Sequence, residues 1–522
     1  MTALGKQTGR GFIAVAALIL SACGGGDGSV QSTGVQETTT TASSANQGAG
    51  SDYTVFEGAR LIVGDGTTVI ENSAFMIQDD LIVAIGGMGD FPVPAGASHV
   101  DLAGKTVMPA KVDLHGHLGF ENVLEGTTSK ENYTRENLID HLERFAYMGF
   151  STVVSIADYM EREIMPGDHW DVYQAPRDPN LPETGRMPWG NVPIEVQDET
   201  IPNAAKFYTA GNAISWPGSG AQGHPSRNDI MYPVTTVEEA REAVRDSAKN
   251  KLSFIKIWMD DRDGEKMNMP KEVYEAVIDE AAKHGLQVAA HTVTLEDAKG
   301  LYKAGMVGSV HMPVRGGDVP DEELLQIIRD RVATSDVPLW FTDHGSVSAV
   351  GMDSWDDPLL WEILSPAQVQ EQRSRGGRFV SNITPEAVER GKIASEDMGK
   401  IAHQLIDAGM IATFGSDNGS AGRGFGWHGQ LRFENLVNMG FTPHEAIVIT
   451  TANGAKAMGF NTGMVAVGKS ADFIILDENP LVDIKNTRRI NAVWLRGERV
   501  DREGMRARWQ SHWVDNPALT AQ

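Results

Sequence analysis

Six residues of this chain have the types and positions for metal chemistry. His115 and His117 stand in "HGH" with one residue between them, and side chains two apart on a strand share a face. His291 and His311 each close a short apolar run, "QVAAH" and "VGSVH", and Asp417 ends "MIATFGSD". Lys256 lies inside "SFIKIW", among Phe254, Ile255, Ile257 and Trp258. An ammonium there is costly unless it is paired, neutralised or chemically altered. An uncharged lysine amine can take up CO2 as a carbamate, which makes an anionic oxygen donor able to bridge two cations. The alternative is a lysine paired with Asp260 or Asp261. Singly these signals are weak: a histidine closing a strand is usually structural, and "GSD" is most often a turn or helix cap. Their joint placement is specific, because four imidazoles and a carboxylate suit a borderline divalent metal such as zinc.

These residues need elements that bring them to one place. Candidate strands run over 111–115, 151–157, 206–211, 254–258, 287–291, 307–311, 338–342 and 410–417, with helical patterns between most of them. Two helix starts are explicit: Thr294 with Asp297 three residues on, and Thr442 with Pro443 and Glu445. Eight alternating units predict an α/β fold, a (β/α)8 TIM barrel over 109–460, and in such barrels chemistry sits at the C-terminal strand ends. Short β-rich runs over 53–108 and 461–505 predict a small β-sandwich domain built from the N- and C-terminal segments. Residues 506–522 are set apart as a C-terminal tail. Two long connections, about 157–205 and 343–395, read either as lids or binding loops or as insertions that decorate the fold or form an oligomer.

"PAKVDLHGH", "FIKI", "VAAH", "SVH" and "FGSDN" together resemble the amidohydrolase superfamily with a binuclear metal centre. "GKSADFIILDENPLVDI" and "INAVWLRGERV" look like that family's closing β-rich half, so the resemblance covers about 53–505. The nearest-looking branch is the imidazolonepropionase-like group with its Xaa-Pro dipeptidases. The resemblance implies two divalent ions, zinc foremost. His115, His117 and Asp417 would hold one, His291 and His311 the other, and Lys256 as its carbamate would bridge them. It also implies a bridging hydroxide as nucleophile, with Asp417 as the proton carrier. His224 in "GAQGHPS" is either an assistant at the carbonyl oxygen or an exposed loop histidine. Arg315, His344 and His428 are substrate-side candidates, and His428 is equally well placed to begin the next helix. Two departures stand out: Ala110 replaces a glycine, and "SVHMP" replaces the usual segment at the sixth strand.

The implied activity is hydrolysis of an amide C–N bond in a small peptide or N-acyl amino acid. A lactonase, ester or cyclic-amide hydrolase would use the same pair of ions. A deaminase on this fold would lack the strand lysine and carry an acid three residues after a strand histidine, whereas "TVT" follows His291. A metal-holding, non-catalytic lipoprotein would be expected to have lost a ligand or Asp417, and all are kept.

The N-terminus gives an address. Lys6 and Arg10 precede the apolar run "GFIAVAALILSA", which is too short to span a bilayer, and "LSAC" ends in Cys23, the only cysteine. This resembles a bacterial lipoprotein signal over 1–22 with Cys23 as the lipidation site. Residues 24–52 are nearly devoid of apolar side chains and read as a flexible tether that starts at Cys23. The expectation is a lipid-anchored protein of the cell envelope, with Gly24 after the cysteine favouring the outer membrane. A net charge of −25 argues against a nucleic-acid partner. Its partner is then a small-molecule or short-peptide substrate.

Overall fold

The computed structural model describes residues 53–165, 184–187, 190–219, 230–261, 264–265, 267–314, 317–343, 345, 347–351, 354, 356–374, 384–419 and 424–515. Cys23, the tether, His224, Arg315 and His344 lie outside the described residues.

The two β-rich segments meet in one mixed sheet of eight strands. Tyr53–Ile62, Val69–Gln78 and Leu81–Gly87 form an antiparallel run, and Thr106–Pro109 passes the sheet on to Phe473–Leu476 and Ile490–Leu495. Cross-strand aromatics hold it: Phe56 stacks on its register partner Phe75 at 4.7 Å, and Phe473 meets both rings edge-on at 5.0 Å. The far strand returns to the C-terminal half, where Ile82 N donates to Lys469 O at 2.9 Å and Leu81 bridges Ser470. The sheet is thereby curled over its own apolar core.

All eight predicted central strands contain strand structure, and all pair in parallel. They do not form a single continuous ladder. Lys206–Thr209, Phe150–Ser155 and Lys111–Gly116 make a three-stranded sheet, and Met231–Pro233, Ala213–Ser215, Ile255–Trp258, Val288–His291, Gly308–Ser309, Trp340–Asp343 and Ile411–Phe414 a seven-stranded one. The break lies in the third predicted strand. Gly211 takes φ +63°, and its backbone carbonyl accepts from Asp158 N at 2.9 Å, so 206–215 turns instead of running straight. At the other seam the last strand meets the first through a parallel bridge, Gly116 to Asn418.

The helices start where their caps dictate. The Thr294 side chain accepts from Asp297 N ahead of Leu295–Ala304, and Thr442 with Glu445 forms a full capping box ahead of Pro443–Thr450. Much of the segment set apart as a tail is helix Arg502–Asp515. Its Trp509 is buried, donates from Nε1 to Asp140 Oδ1 at 2.8 Å and lies under the Arg144 guanidinium at 4.4 Å. No helix among the described residues is long and apolar enough to cross a membrane.

Candidate metal centre

The centre is built on the seam between the first and last central strands. On Lys111–Gly116, Val112 and Leu114 belong to an apolar layer with Val154, Ala455 and Ala457. Strict alternation then turns Lys111, Asp113 and His115 to the other side. Asp113 is fully buried, and its Oδ1 accepts from His115 N and from Ser416 N, both at 3.0 Å. One carboxylate thus ties the "HGH" strand to the "GSD" segment. Burial pushes its carboxyl up to about 7, against the hydrogen bonds from Ser416 and His115.

The same seam continues in backbone. Asp417 N donates to His115 O, and His117 N to Asn418 O, both at 2.7 Å. Such close approach needs glycine on the "FGSDNG" side. A Cβ at Gly415 would lie 2.6 Å from His115 Cβ, and one at Gly419, where φ is +89°, would lie 1.8 Å from His117 O. Asp417 itself sits at φ +53°, a region that aspartate tolerates better than most residues and that often marks a functional position.

The side chains then converge. His115 Nε2 is 3.3 Å from His117 Nε2 and 3.6 Å from Asp417 Oδ1, and His117 Nε2 is 3.3 Å from that same oxygen. Four ligand atoms about 2.1 Å from a tetrahedral ion would stand roughly 3.4 Å apart, so this spacing fits a zinc-like cation. The tautomer fits too. His115 Nδ1 lies 2.6 Å from Val310 O, a pure acceptor, so Nδ1 carries the proton and Nε2 presents its lone pair to the group.

Around this triad the aromatic rings close a circuit. His115 lies 4.9 Å from His311, His311 4.5 Å from His291, His291 5.0 Å from Trp258, and Trp258 6.2 Å from His117, centre to centre. Strand register accounts for it: Trp258 is paired with His291, and Lys256 with the small Ala289. Lys256 is buried, with Nζ 5.2 Å from the centre of the Trp258 ring. The structure therefore brings His115, His117, Asp417, His291, His311 and Lys256 to one neighbourhood. It does not bring His428 into the triad. That residue is in the first turn of helix Trp427–Asn438, buried against Gly424, with its imidazole pushed down to about 4 by burial and the nearby Arg432.

Residues that sequence reasoning passed over support this rim. Asp113 is one, and a charge on the alternating face of "KVDLH" was its only signal. His141 is another: Gly119 N donates to its Nδ1 at 3.1 Å and its Nε2 donates to Glu121 O at 2.7 Å, fixing the chain just after His117. Asp260, named in the sequence as a possible partner for Lys256, has a carboxylate oxygen 3.6 Å from His291 Nε2.

Comparison with known proteins bears on the fold and on one part of the chain. Residues 380–500 match the amidohydrolase family. Ochratoxinase of Aspergillus niger is 26% identical over 277 residues, covering 50% of this chain and 49% of that protein, so the match spans about half the length of the curated relative. Several solved structures share the fold. A Xaa-Pro dipeptidase with bound methionine superposes with a TM-score of 0.60 at 21% identity, covering 86% of this chain and 99% of the other. Phenylurea hydrolase B gives 0.59 at 19% identity, covering 90% and 100%. Fold and family match are compatible: this chain has the α/β fold of those solved structures, and its residues 380–500 match the amidohydrolase family.

Proposed function

We propose that this protein is a metal-dependent hydrolase that cleaves an amide C–N bond in a small peptide or N-acyl amino acid. The observation that carries the reading is the triad of His115, His117 and Asp417, three donors at mutual distances of 3.3–3.6 Å on a rim where two more histidines and a buried lysine meet. In this reading the two ladders form one (β/α)8 barrel, interrupted near Gly211 and joined at Gly116–Asn418. His115, His117 and Asp417 would hold one ion, His291 and His311 a second, and the Lys256 carbamate would bridge them. Bound there, two divalent ions would lower the pKa of a shared water and polarise the scissile carbonyl.

The chain's own groups do the rest. Asp417 takes the proton of the attacking water and passes it to the nitrogen of the departing amine. The Val310 carbonyl holds His115 in the tautomer that keeps Nε2 unprotonated. Asp113 fixes the spacing between the two strands that carry the triad. The peptide reading is supported by the dipeptidase among the solved structures that share this fold. On the strength of "LSAC" and the apolar run before it, the protein works in the bacterial cell envelope, anchored by lipid at Cys23.

The test is hydrolysis of a panel of dipeptides and N-acyl amino acids by the zinc-loaded protein, the chelated protein and Asp417→Asn. The account expects turnover that chelation abolishes and zinc restores, with kcat in Asp417→Asn reduced about 1,000-fold or more. Turnover that survives both chelation and the substitution would refute it.

A further inference from the structure

The chain around His117 is held residue by residue. His117 N donates to Asn418 O, Leu118 N to Ser155 Oγ at 3.1 Å, and Gly119 N to His141 Nδ1. On the other side of His117, Gly116 O accepts from Ile156 N at 2.9 Å. Residues 155 and 156, at the end of strand Phe150–Ser155, therefore grip the peptides on both sides of this histidine. One of those two grips runs through a side chain, the Ser155 hydroxyl.

A serine hydroxyl rotates, and its proton must point away from Leu118 N for the oxygen to accept there. Asp158 takes that proton: Ser155 Oγ donates to Asp158 Oδ1 at 2.6 Å, and both residues are fully buried. Tyr133 OH donates to the same oxygen at 2.8 Å, and its ring fills the space that a Cβ on Gly119 would need. Thr209 Oγ1 donates to Oδ2 from strand Lys206–Thr209, one strand further from the strand that leads to His117. Three hydroxyl groups thus donate to one carboxylate, as an acceptor-only group requires. The backbone pins Asp158 in turn, with its N donating to Gly211 O at 2.9 Å and its O accepting from Asn212 Nδ2 at 3.0 Å.

We infer that Asp158 is a positioning residue for the metal centre. Through the Ser155 hydroxyl and the Tyr133 ring it sets the course of the chain just after His117, and with it the place of the His117 imidazole in the triad. The inference rests on the reading of His115, His117 and Asp417 as an ion site, and it needs only that one ion. Outer groups that orient a metal ligand typically change metal affinity about 10–100-fold.

The experiment loads the full chain, stripped by chelation, with cobalt(II). It follows the ion that His117→Ala fails to hold, reading its affinity and its visible absorption bands. Ser155→Ala and Asp158→Asn should each weaken that ion about tenfold or more and shift the bands. The double variant should bind no more weakly than the weaker single, because the two residues act in series. Thr209→Val removes an equally buried bond to the same carboxylate. It should lower the urea midpoint and leave affinity and bands as in wild type. The inference is overturned if Ser155→Ala binds the ion with wild-type affinity and bands, or if Thr209→Val weakens it as much as Ser155→Ala does. Ser155→Ala removes one hydroxyl only, so it decides the matter even where Asp158→Asn does not fold. A wild-type chain that holds no ion dependent on His117 overturns the triad reading, and the inference with it.

Discussion

Asp113 makes the clearest case that a residue can matter to this centre without reaching it. Its carboxylate satisfies two backbone N–H groups on two different strands, each carrying a triad member. Removing it strands both donors in a buried setting, at a cost of about 1–3 kcal/mol for each. Asp113→Ala should therefore lower the unfolding free energy of the metal-free protein by about 2–5 kcal/mol, measured by urea titration. It should also weaken the first zinc equivalent, although Asp113 is not among the residues that would hold the ion. Comparing the two strand lysines shows what the sequence could reveal at this scale. Lys111 is as buried as Lys256, and burial pushes its ammonium down to about 7. Yet Lys111 donates to Gln430 Oε1 at 2.7 Å and lies over the Phe150 ring. A buried lysine alone is no sign of a bridging role. What set Lys256 apart in the sequence was its company, the strand-end histidines, and Asp113 offered no such company to be noticed by.

At the level of elements, the seam at Gly116–Asn418 depends on backbone contact. Gly419→Ala would place a methyl group 1.8 Å from His117 O at a φ of +89°. The expected outcome is a loss of about 2 kcal/mol or more, read as a lower thermal midpoint, together with poorer retention of zinc by the triad. Helix Arg135–Tyr147 reaches the same rim through His141. Burial, as the leading cause, pushes that imidazole from 6.5 down to about 4, and Phe425 stacks on its face at 3.8 Å. Its neutral form is favoured because Nδ1 must accept from Gly119 N. The folded state binds fewer protons than the unfolded state between pH 6.5 and 4, so stability is fully present above 6.5 and falls as pH drops through that window. The contribution at stake is about 3 kcal/mol. His141→Gln should flatten the pH dependence of the urea midpoint between pH 7 and 4, and an unchanged slope would remove His141 from the explanation. The strands were legible because apolar runs between turn signals have few other fates. The break at Gly211 was not, because a glycine after a strand-like run gives no hint of how far the ladder continues.

Over the whole molecule, helix Arg502–Asp515 locks the fold from outside the centre. Trp509 is fully buried between the Arg144 guanidinium and the Tyr147 ring, in a segment that reads in the sequence as a C-terminal tail. Its helix has no clean apolar stripe and few strong helix signals, so its partners became visible only in three dimensions. Trp509→Ala should cost about 3–5 kcal/mol in urea unfolding while leaving the zinc stoichiometry unchanged. The central claim is that distant strands of one fold assemble a two-ion site around Lys256. The most direct test is zinc bound per chain in wild type and in Lys256→Ala, after loading and exhaustive dialysis. The account predicts two equivalents in the wild type and at most one firmly held in the variant. One equivalent in both, indifferent to Lys256, would contradict it.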